Sequence, residues 1–301
     1  MIAVKSPAIC NHDCNVLGFR KGFFSCLSKC RNNIFGVIDM ILFEELEKNV
    51  VKSKDEFLNN STFEHIVIDN FCDAEKLNKA LSDIPDANLA GHNKSNDYMF
   101  AKNKFEKSNF GSLSPEFTVL KNELLSSRFS NWISSITGQE IFIDPAFHGG
   151  GLHQGGKGSF LDMHADFNYH PMNLSWFRNV NILIYLNKDW RPEYAGQLKL
   201  RDGRISKGQS VLIEPIFNRA VIMFTREHTL HGYDSINFPS GAYRSSIAAY
   251  GYTEVGERGV LRTTRWVPES SGPLKKFLGR HMPSLVSMKS RVFGSGTGKN
   301  K

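Results

Sequence analysis

His164-Ala165-Asp166 follows a short apolar run and sets an imidazole and a carboxylate two residues apart. On an extended strand, residues i and i+2 point to the same side, so both groups face one point. A distant histidine added to this pair would complete a two-histidine, one-carboxylate face. Such a face leaves three positions of an octahedral iron(II) open: two for a chelating co-substrate, one for O2. The motif is short and the chain has ten histidines, so an ordinary surface or core pair shares its spelling and its surroundings must decide. His228 and His231 both lie downstream as third donors. Arg244 opens an alternating run thirteen residues after His231. Its guanidinium could make two parallel charged hydrogen bonds to a carboxylate, which a lysine does less well. The plain alternative is a strand arginine in a surface ion pair.

Groups of this kind need a rigid frame, and the sequence offers one. After Gly138, short apolar runs alternate with turns: Ile141–Ile143, Phe160–Met163, Val180–Leu186, Leu198–Leu200, Val211–Ile213, Ala220–Phe224 and Ser245–Tyr252. Many short strands at this spacing predict an all-β sandwich or barrel. Helices precede it. Asp73 caps a helix whose buried face carries Leu77, Ala80, Leu81 and Ile84, after a short strand at His65–Asp69. Ser114-Pro115-Glu116 starts another, with Val119, Leu120, Leu124, Phe129, Trp132 and Ile136 on its buried face and Gly138 as its stop. Phe43 to Leu58 has the pattern of a charged helix, and residues 87–112 read as polar loop. Gly149 to Gly151 and Gly155-Gly156 read as an entrance loop. They are not a phosphate cradle, because no Lys-Ser/Thr and helix follow. His148, His153 and His170 flank the site in sequence; Asn168, Tyr169 and His170 lie where they could touch substrate or merely supply loop polarity. The division expected is an N-terminal extension over 1–60, helical support over 61–138, a β domain over 139–268 and a basic tail over 269–301.

The net charge of +7 suggests nucleic acid only until it is located. Residues 271–301 hold seven Lys or Arg and no acid, so the rest of the chain is neutral and the basicity is a tail. Of five cysteines, Cys10, Cys14, Cys26 and Cys30 form two Cys-x3-Cys pairs near the start. They could hold zinc, or be an unpaired extension; nothing resembles a disulfide framework. No stretch approaches the roughly 20 apolar residues of a membrane span, and the start is a poor secretory signal. The expectation is a soluble cytoplasmic protein with no membrane partner.

Several ordered stretches together resemble the prolyl-hydroxylase-like branch of the 2-oxoglutarate/iron(II) dioxygenases, over roughly residues 142–252. They are His164-Ala-Asp166, Leu183-Ile-Tyr-Leu-Asn-Lys-Asp-Trp190, Ala195-Gly-Gln-Leu198, Ile213-Glu-Pro-Ile-Phe-Asn-Arg219, Leu230-His-Gly232 and Tyr243-Arg-Ser-Ser-Ile-Ala-Ala-Tyr250. The pattern is similar to the hypoxia-inducible-factor prolyl hydroxylases and their bacterial and yeast relatives. The resemblance implies an α+β fold with a double-stranded β-helix (jelly-roll) core and supporting N-terminal helices. It implies iron(II) on His164, Asp166 and His231 in preference to His228, and 2-oxoglutarate as co-substrate on Arg244 and Tyr185. Ascorbate as reductant is a further implication. Where the family often has a tyrosine ten residues before the first iron histidine, this chain has Gln154, read as the cofactor contact there. The implied reaction is O2-dependent hydroxylation of an unactivated C–H bond, with succinate and CO2 released. Peptidyl proline is one substrate it suggests; a sugar, lipid or small metabolite is another. A non-catalytic metal- or sugar-binding barrel is the non-enzyme alternative. A nucleic-acid dealkylating enzyme fits poorly: that branch resembles an Arg-x5-Arg pattern, and Tyr250 stands six residues after Arg244.

Overall fold

The β-branched and aromatic runs after Gly138 do become strands, and they are the scaffold of everything that follows. The computed structural model describes residues 39–87, 93–94, 99–205, 208–269, 272, 275, 277 and 278. In chain order the strands are β1 (His65–Ile68), β2 (Asn93–Lys94), β3 (Ala101–Lys107), β4 (Phe142–Ile143), β5 (Gly151–Ala165), β6 (Tyr169–His170) and β7 (Asn173–Tyr185). Then come β8 (Leu198–Asp202), β9 (Val211–Ile213), β10 (Ala220–Phe224), β11 (Thr229–Tyr233), β12 (Arg244–Glu254) and β13 (Arg265–Trp266). The helices are α1 (Phe43–Lys48), α2 (Val50–Leu58), α3 (Ala74–Leu81), α4 (Pro115–Leu124) and α5 (Ser127–Thr137).

The strands join in one sheet with the order β1-β10-β7-β12-β5-β11-β8-β9, every named pair antiparallel. Neighbours in space are distant in sequence: β12 lies between β7 and β5, and β5 also pairs with β3, β11 and β13. The sheet curls into a double-stranded β-helix. Alternation then sorts side chains. The outer face sends Leu152, Ile182, Ile184, Ile222 and Ile247 into one apolar core with Phe117, Leu120, Phe129, Trp132 and Ile133 of the helices. The inner face carries a second, smaller cluster of Tyr185, Leu198, Leu200, Ile213, Val221 and Met223. Burying each large aliphatic side chain of the first core contributes about 1.5–3 kcal/mol, so the helical side holds most of the apolar stabilisation.

Local chemistry sets the helix ends. Asp73 accepts from the Lys76 amide at 3.0 Å, and Ser114 from the Phe117 amide at 3.2 Å. One helix expected over 115–137 is two. Ser126 accepts from the Phe129 amide at 3.1 Å and starts α5 afresh. A capping serine inside an otherwise helical pattern competes with the backbone in this way. Gly138 ends α5 with φ 69°, the left-handed conformation that favours glycine.

Three other readings change. Residues 87–112 are not all loop, because β3 runs through them and pairs with β5. Its inward positions are Lys104 and Glu106, so its alternation looks polar from the sequence. The glycines at 151, 155 and 156 are in β5, not in an entrance loop. The segment from residue 39 to 60 is not peripheral. Met40, Ile41, Phe43, Leu46 and Phe57 belong to the main core, and the buried Glu123 carboxylate accepts the Met40 and Ile41 amides, each at 2.7 Å. The four N-terminal cysteines lie outside the described residues. In the tail, Lys275 Nζ is 2.7 Å from Asp162, while Phe277 is exposed. Among the described residues no helix is long and apolar enough to cross a membrane.

Candidate active site

His164 near the end of β5 and His231 in the middle of β11 are directly opposite one another across the strand pair. Cross-strand partners put their side chains on one face, and the two imidazole centroids are 4.2 Å apart. Asp166 follows β5 on the same side. His164 Nε2 is 3.4 Å from Asp166 Oδ1, and His231 Nε2 is 3.4 Å from Asp166 Oδ2. The three donor atoms lie within 4.8 Å of one another. Gly232 lets β11 pass this close: a Cβ there would come within 2.5 Å of the Leu161 carbonyl oxygen. His228 is elsewhere, half-buried in the turn before β11, beside Asp202 and Arg204.

The surroundings fix each donor. His164 Nδ1 is 2.9 Å from the Asp162 carbonyl, which takes its proton and leaves Nε2 as a lone-pair donor. Burial, then the neighbouring His164, lower the His231 pKa, so its ring is neutral, as a ligand must be. Burial alone would raise the Asp166 pKa; the Arg178 guanidinium and His231 hold it well below the usual carboxylate range. Asp166 Oδ2 accepts from Arg178 Nη2 at 2.9 Å and from Asn181 Nδ2 at 2.7 Å. With Oδ2 so occupied, Oδ1 is the oxygen left for a metal. Two imidazoles and one carboxylate oxygen form the donor set expected for an open iron(II) face, so the residues fit the ion.

Arg178 and Asn181 are the functional residues that sequence reasoning missed. They are three apart, and strict alternation would send them to opposite faces. The register between β12 and β7 shifts: Gly251 faces Val180 but Tyr252 faces Arg178. This bulge turns Arg178 inward while Val180 stays in the outer core. Arg178 is fully buried, donates from Nε and Nη2 to Asn181 Oδ1 at 3.0 and 2.7 Å, and stacks 3.6 Å from the Tyr250 ring centroid. A bulge has no signature of its own in this sequence. Trp266 was also missed. It pairs with His164 through β13 and lies tilted against its ring with centroids 4.8 Å apart, with Phe100 stacked behind it at 5.2 Å.

A cavity of about 220 Å³ runs from the histidine pair into the barrel and is lined on its inner wall by Arg244, Ser246 and Leu183. Arg244 is buried, and donates from Nε to the Gly196 carbonyl at 2.7 Å and from Nη2 to the Tyr185 hydroxyl at 3.2 Å. Its ring neighbours, Tyr233 at 4.3 Å and Tyr185 at 5.1 Å, hold the guanidinium plane. These bonds leave other guanidinium N–H groups for a carboxylate, so Arg244 and Tyr185 come together as expected. Gln154 lines the same cavity but makes no hydrogen bond to either. β12 pairs Arg244 with Gly155, Ser245 with Gln154 and Ser246 with His153. Directly paired residues share a face, so Gln154 sits in register with Ser245 rather than with Arg244; it still contributes to the cavity lining, buried and with Oε1 unpartnered. His153, one residue earlier, takes the cavity face. His148 and His170 lie apart from the triad as well. Their rings are 5.3 Å from each other, and His170 Nε2 is 3.5 Å from the buried Asp144.

Residues 150–252 match the family model described as the 2OG-Fe(II) oxygenase superfamily. No curated protein matches the chain. Among solved structures, the chain is similar to a prolyl hydroxylase from Trichoplax adhaerens in complex with a hypoxia-inducible-factor oxygen degradation domain peptide fragment. That likeness has 21% identity, covers 71% of this chain and 94% of the other, and has a TM-score of 0.52. A prolyl-4-hydroxylase from Pseudomonas putida matches at 14% identity, over 68% and 98% of the two chains, with a TM-score of 0.47. HygX from Streptomyces hygroscopicus, with nickel, 2-oxoglutarate and hygromycin B bound, matches at 13% identity, over 62% and 82%, with a TM-score of 0.42. At these identities the first likeness speaks for the fold.

Proposed function

Since this chain carries a domain of the 2OG-Fe(II) oxygenase superfamily over residues 150–252 and is an enzyme that uses iron(II) and 2-oxoglutarate, we propose that it hydroxylates an unactivated C–H bond, with His164, Asp166 and His231 as the iron ligands and Arg244 and Tyr185 as the clamp on 2-oxoglutarate. One observation carries this assignment: a single cavity joins an open three-donor face to a buried arginine. A pure binding barrel has no need of both.

Iron(II), 2-oxoglutarate and O2 together supply an oxidant that places one oxygen atom on the substrate carbon and releases succinate and CO2. The chain's own residues do the rest. The two imidazoles and Asp166 Oδ1 would hold the ion. Arg178 and Asn181 keep the carboxylate from turning, because Oδ2 is already bonded twice. Arg244, whose Nη2 donates to the Tyr185 hydroxyl, would hold a carboxylate of 2-oxoglutarate with its remaining N–H groups. Leu183, Leu198 and Met223 keep that part of the cavity apolar, so the clamp acts where water is sparse. No side chain is required as a general base.

The resemblance makes peptidyl proline a substrate to test. A second reading, a small polar molecule, is favoured by a lysine and a glutamate on the cavity wall. The test of the reaction class is anaerobic addition of iron(II) and then 2-oxoglutarate. A weak visible charge-transfer band is expected, followed by succinate on admitting O2. Folded protein that gives neither result would remove the assignment.

A further inference from the structure

Along one edge of β5 the neighbouring strand changes. β3 pairs with β5 as far as Leu161, which faces Ala101. Three residues on, the neighbour is β13, which sets Trp266 opposite His164. β11 runs along the other edge, so His164 has a cross-strand partner on each side, His231 and Trp266. Directly paired residues share a face, and all three line the cavity. The two histidines are not framed alike. His231 is in the middle of β11, between β5 and β8. His164 is the penultimate residue of β5, and β13 beside it is two residues long.

Trp266 is 8% exposed, yet among the described residues it joins none of the apolar clusters. A buried indole usually anchors a core. This one lies against an imidazole, with the two planes 31° apart, and Phe100 is stacked on it with planes 9° apart. The single hydrogen bond from His164 Nδ1 to the Asp162 carbonyl leaves the imidazole free to tilt about it. A large ring against its face removes that freedom. The segment carrying Trp266 is itself tied down. The Val267 amide donates to the Met163 carbonyl at 2.7 Å. The Glu269 carboxylate reaches Lys199 Nζ at 2.6 Å and Arg201 Nε at 3.3 Å, both on β8. Neither tie is made to a metal ligand.

We propose that Trp266 is a positioning residue for the metal, and that the segment from Arg265 to Glu269 is the latch that retains a bound ion. Trp266 holds the His164 imidazole with Nε2 aimed at the site. For an ion to leave, its donors must turn away. Asp166 is restrained by its bonds from Arg178 and Asn181. His231 is restrained by a strand paired on both sides. His164 turns only when Trp266 yields, and Trp266 yields only when its short strand lifts from β5. The metal site is thus completed by residues that lie past the last long strand of the barrel. This inference rests on the assignment of His164, Asp166 and His231 as ligands and adds what keeps the ion on them.

The test is the rate at which the full chain, loaded with cobalt(II), loses the ion to excess chelator, followed by the visible absorption of bound cobalt. It needs no turnover. Trp266→Leu, apolar but without a ring face, should lose cobalt about tenfold faster, the scale of effect usual for a group that orients a ligand, while Trp266→Phe should stay within about threefold of the unaltered protein. Glu269→Gln loosens the latch, touches no ligand, and should lose cobalt about threefold faster. Melting curves of the metal-free proteins separate packing from positioning: lost packing lowers the melting temperature but leaves the rate of cobalt loss alone. An unchanged rate in folded Trp266→Leu overturns the proposal, and so does a Trp266→Phe as fast as Trp266→Leu. If Trp266→Leu does not fold, Glu269→Gln decides, and an unchanged rate there overturns the latch. If the unaltered protein binds no cobalt at all, it is the ligand assignment that fails.

Discussion

The two faces of β12 and β7 belong to the same strands and have opposite chemistry. Outward, Ile247, Ala249, Ile182 and Ile184 meet the helices in an apolar core. Inward, Arg244, Ser246, Tyr250 and Asn181 meet the cavity, with Tyr185 buried behind Arg244, and nearly all of them are held by named hydrogen bonds or ring contacts. The outer face is non-directional, so its worth scales with area and tolerates small shifts. The inner face is directional: each group is useful only with its partner in place. Damage to the outer face should therefore lower stability and leave the site's specificity alone. Damage to the inner face should change chemistry out of proportion to stability.

The largest effect expected is on the inner face. Asp166→Ala removes the carboxylate arm and should abolish succinate formation while the protein remains folded. His164→Ala and His231→Ala should do the same, whereas His228→Ala keeps iron bound. An active His231→Ala beside a dead His228→Ala would reassign the third ligand.

Arg178→Met tests where the two faces meet. It leaves Asp166 buried without its counter-charge, a change that typically costs about 3–5 kcal/mol. A bound divalent cation supplies part of the missing charge. The melting temperature should thus fall more in metal-free protein than in protein with cobalt(II). An equal fall in both would mean that Arg178 acts by packing alone.

Ile184→Ala on the outer face should cost about 2–5 kcal/mol in a denaturation curve, through lost burial and the cavity left behind. Its apparent KM for 2-oxoglutarate should not move, although its neighbour in sequence is Tyr185. A KM that shifts with this variant would show the two faces to be coupled.

Arg244→Lys makes the smallest change. It keeps the charge and loses the bidentate geometry, so the 2-oxoglutarate KM should rise by about tenfold, some 1.4 kcal/mol, with iron affinity little altered. An unchanged KM in both Arg244→Lys and Arg244→Ala would place the co-substrate carboxylate elsewhere.

What the sequence determined by itself is the set of local patterns and the site residues that obey them. Val211–Ile213 and Ala220–Phe224 were legible as strands to the residue, because a short apolar run between turns has few other solutions. Asp73 and Ser114 were legible as caps, because a side-chain oxygen at a helix start has one task. His164 and Asp166 were legible as a pair because their spacing matches the period of a strand. Tertiary structure decided whatever depends on a partner strand. The β7 bulge brings Arg178 onto Asp166, and no residue in the run from Asn173 to Tyr185 announces it. The pairing of β5 with β12 sets Gln154 opposite Ser245 and His153 opposite Ser246, a choice of register that a single strand cannot make. β3 looked like polar loop because its inward side chains face a cavity, and only the curled sheet creates that cavity. Alternation within one strand is fixed by backbone geometry; which face is the inside is fixed by its neighbours.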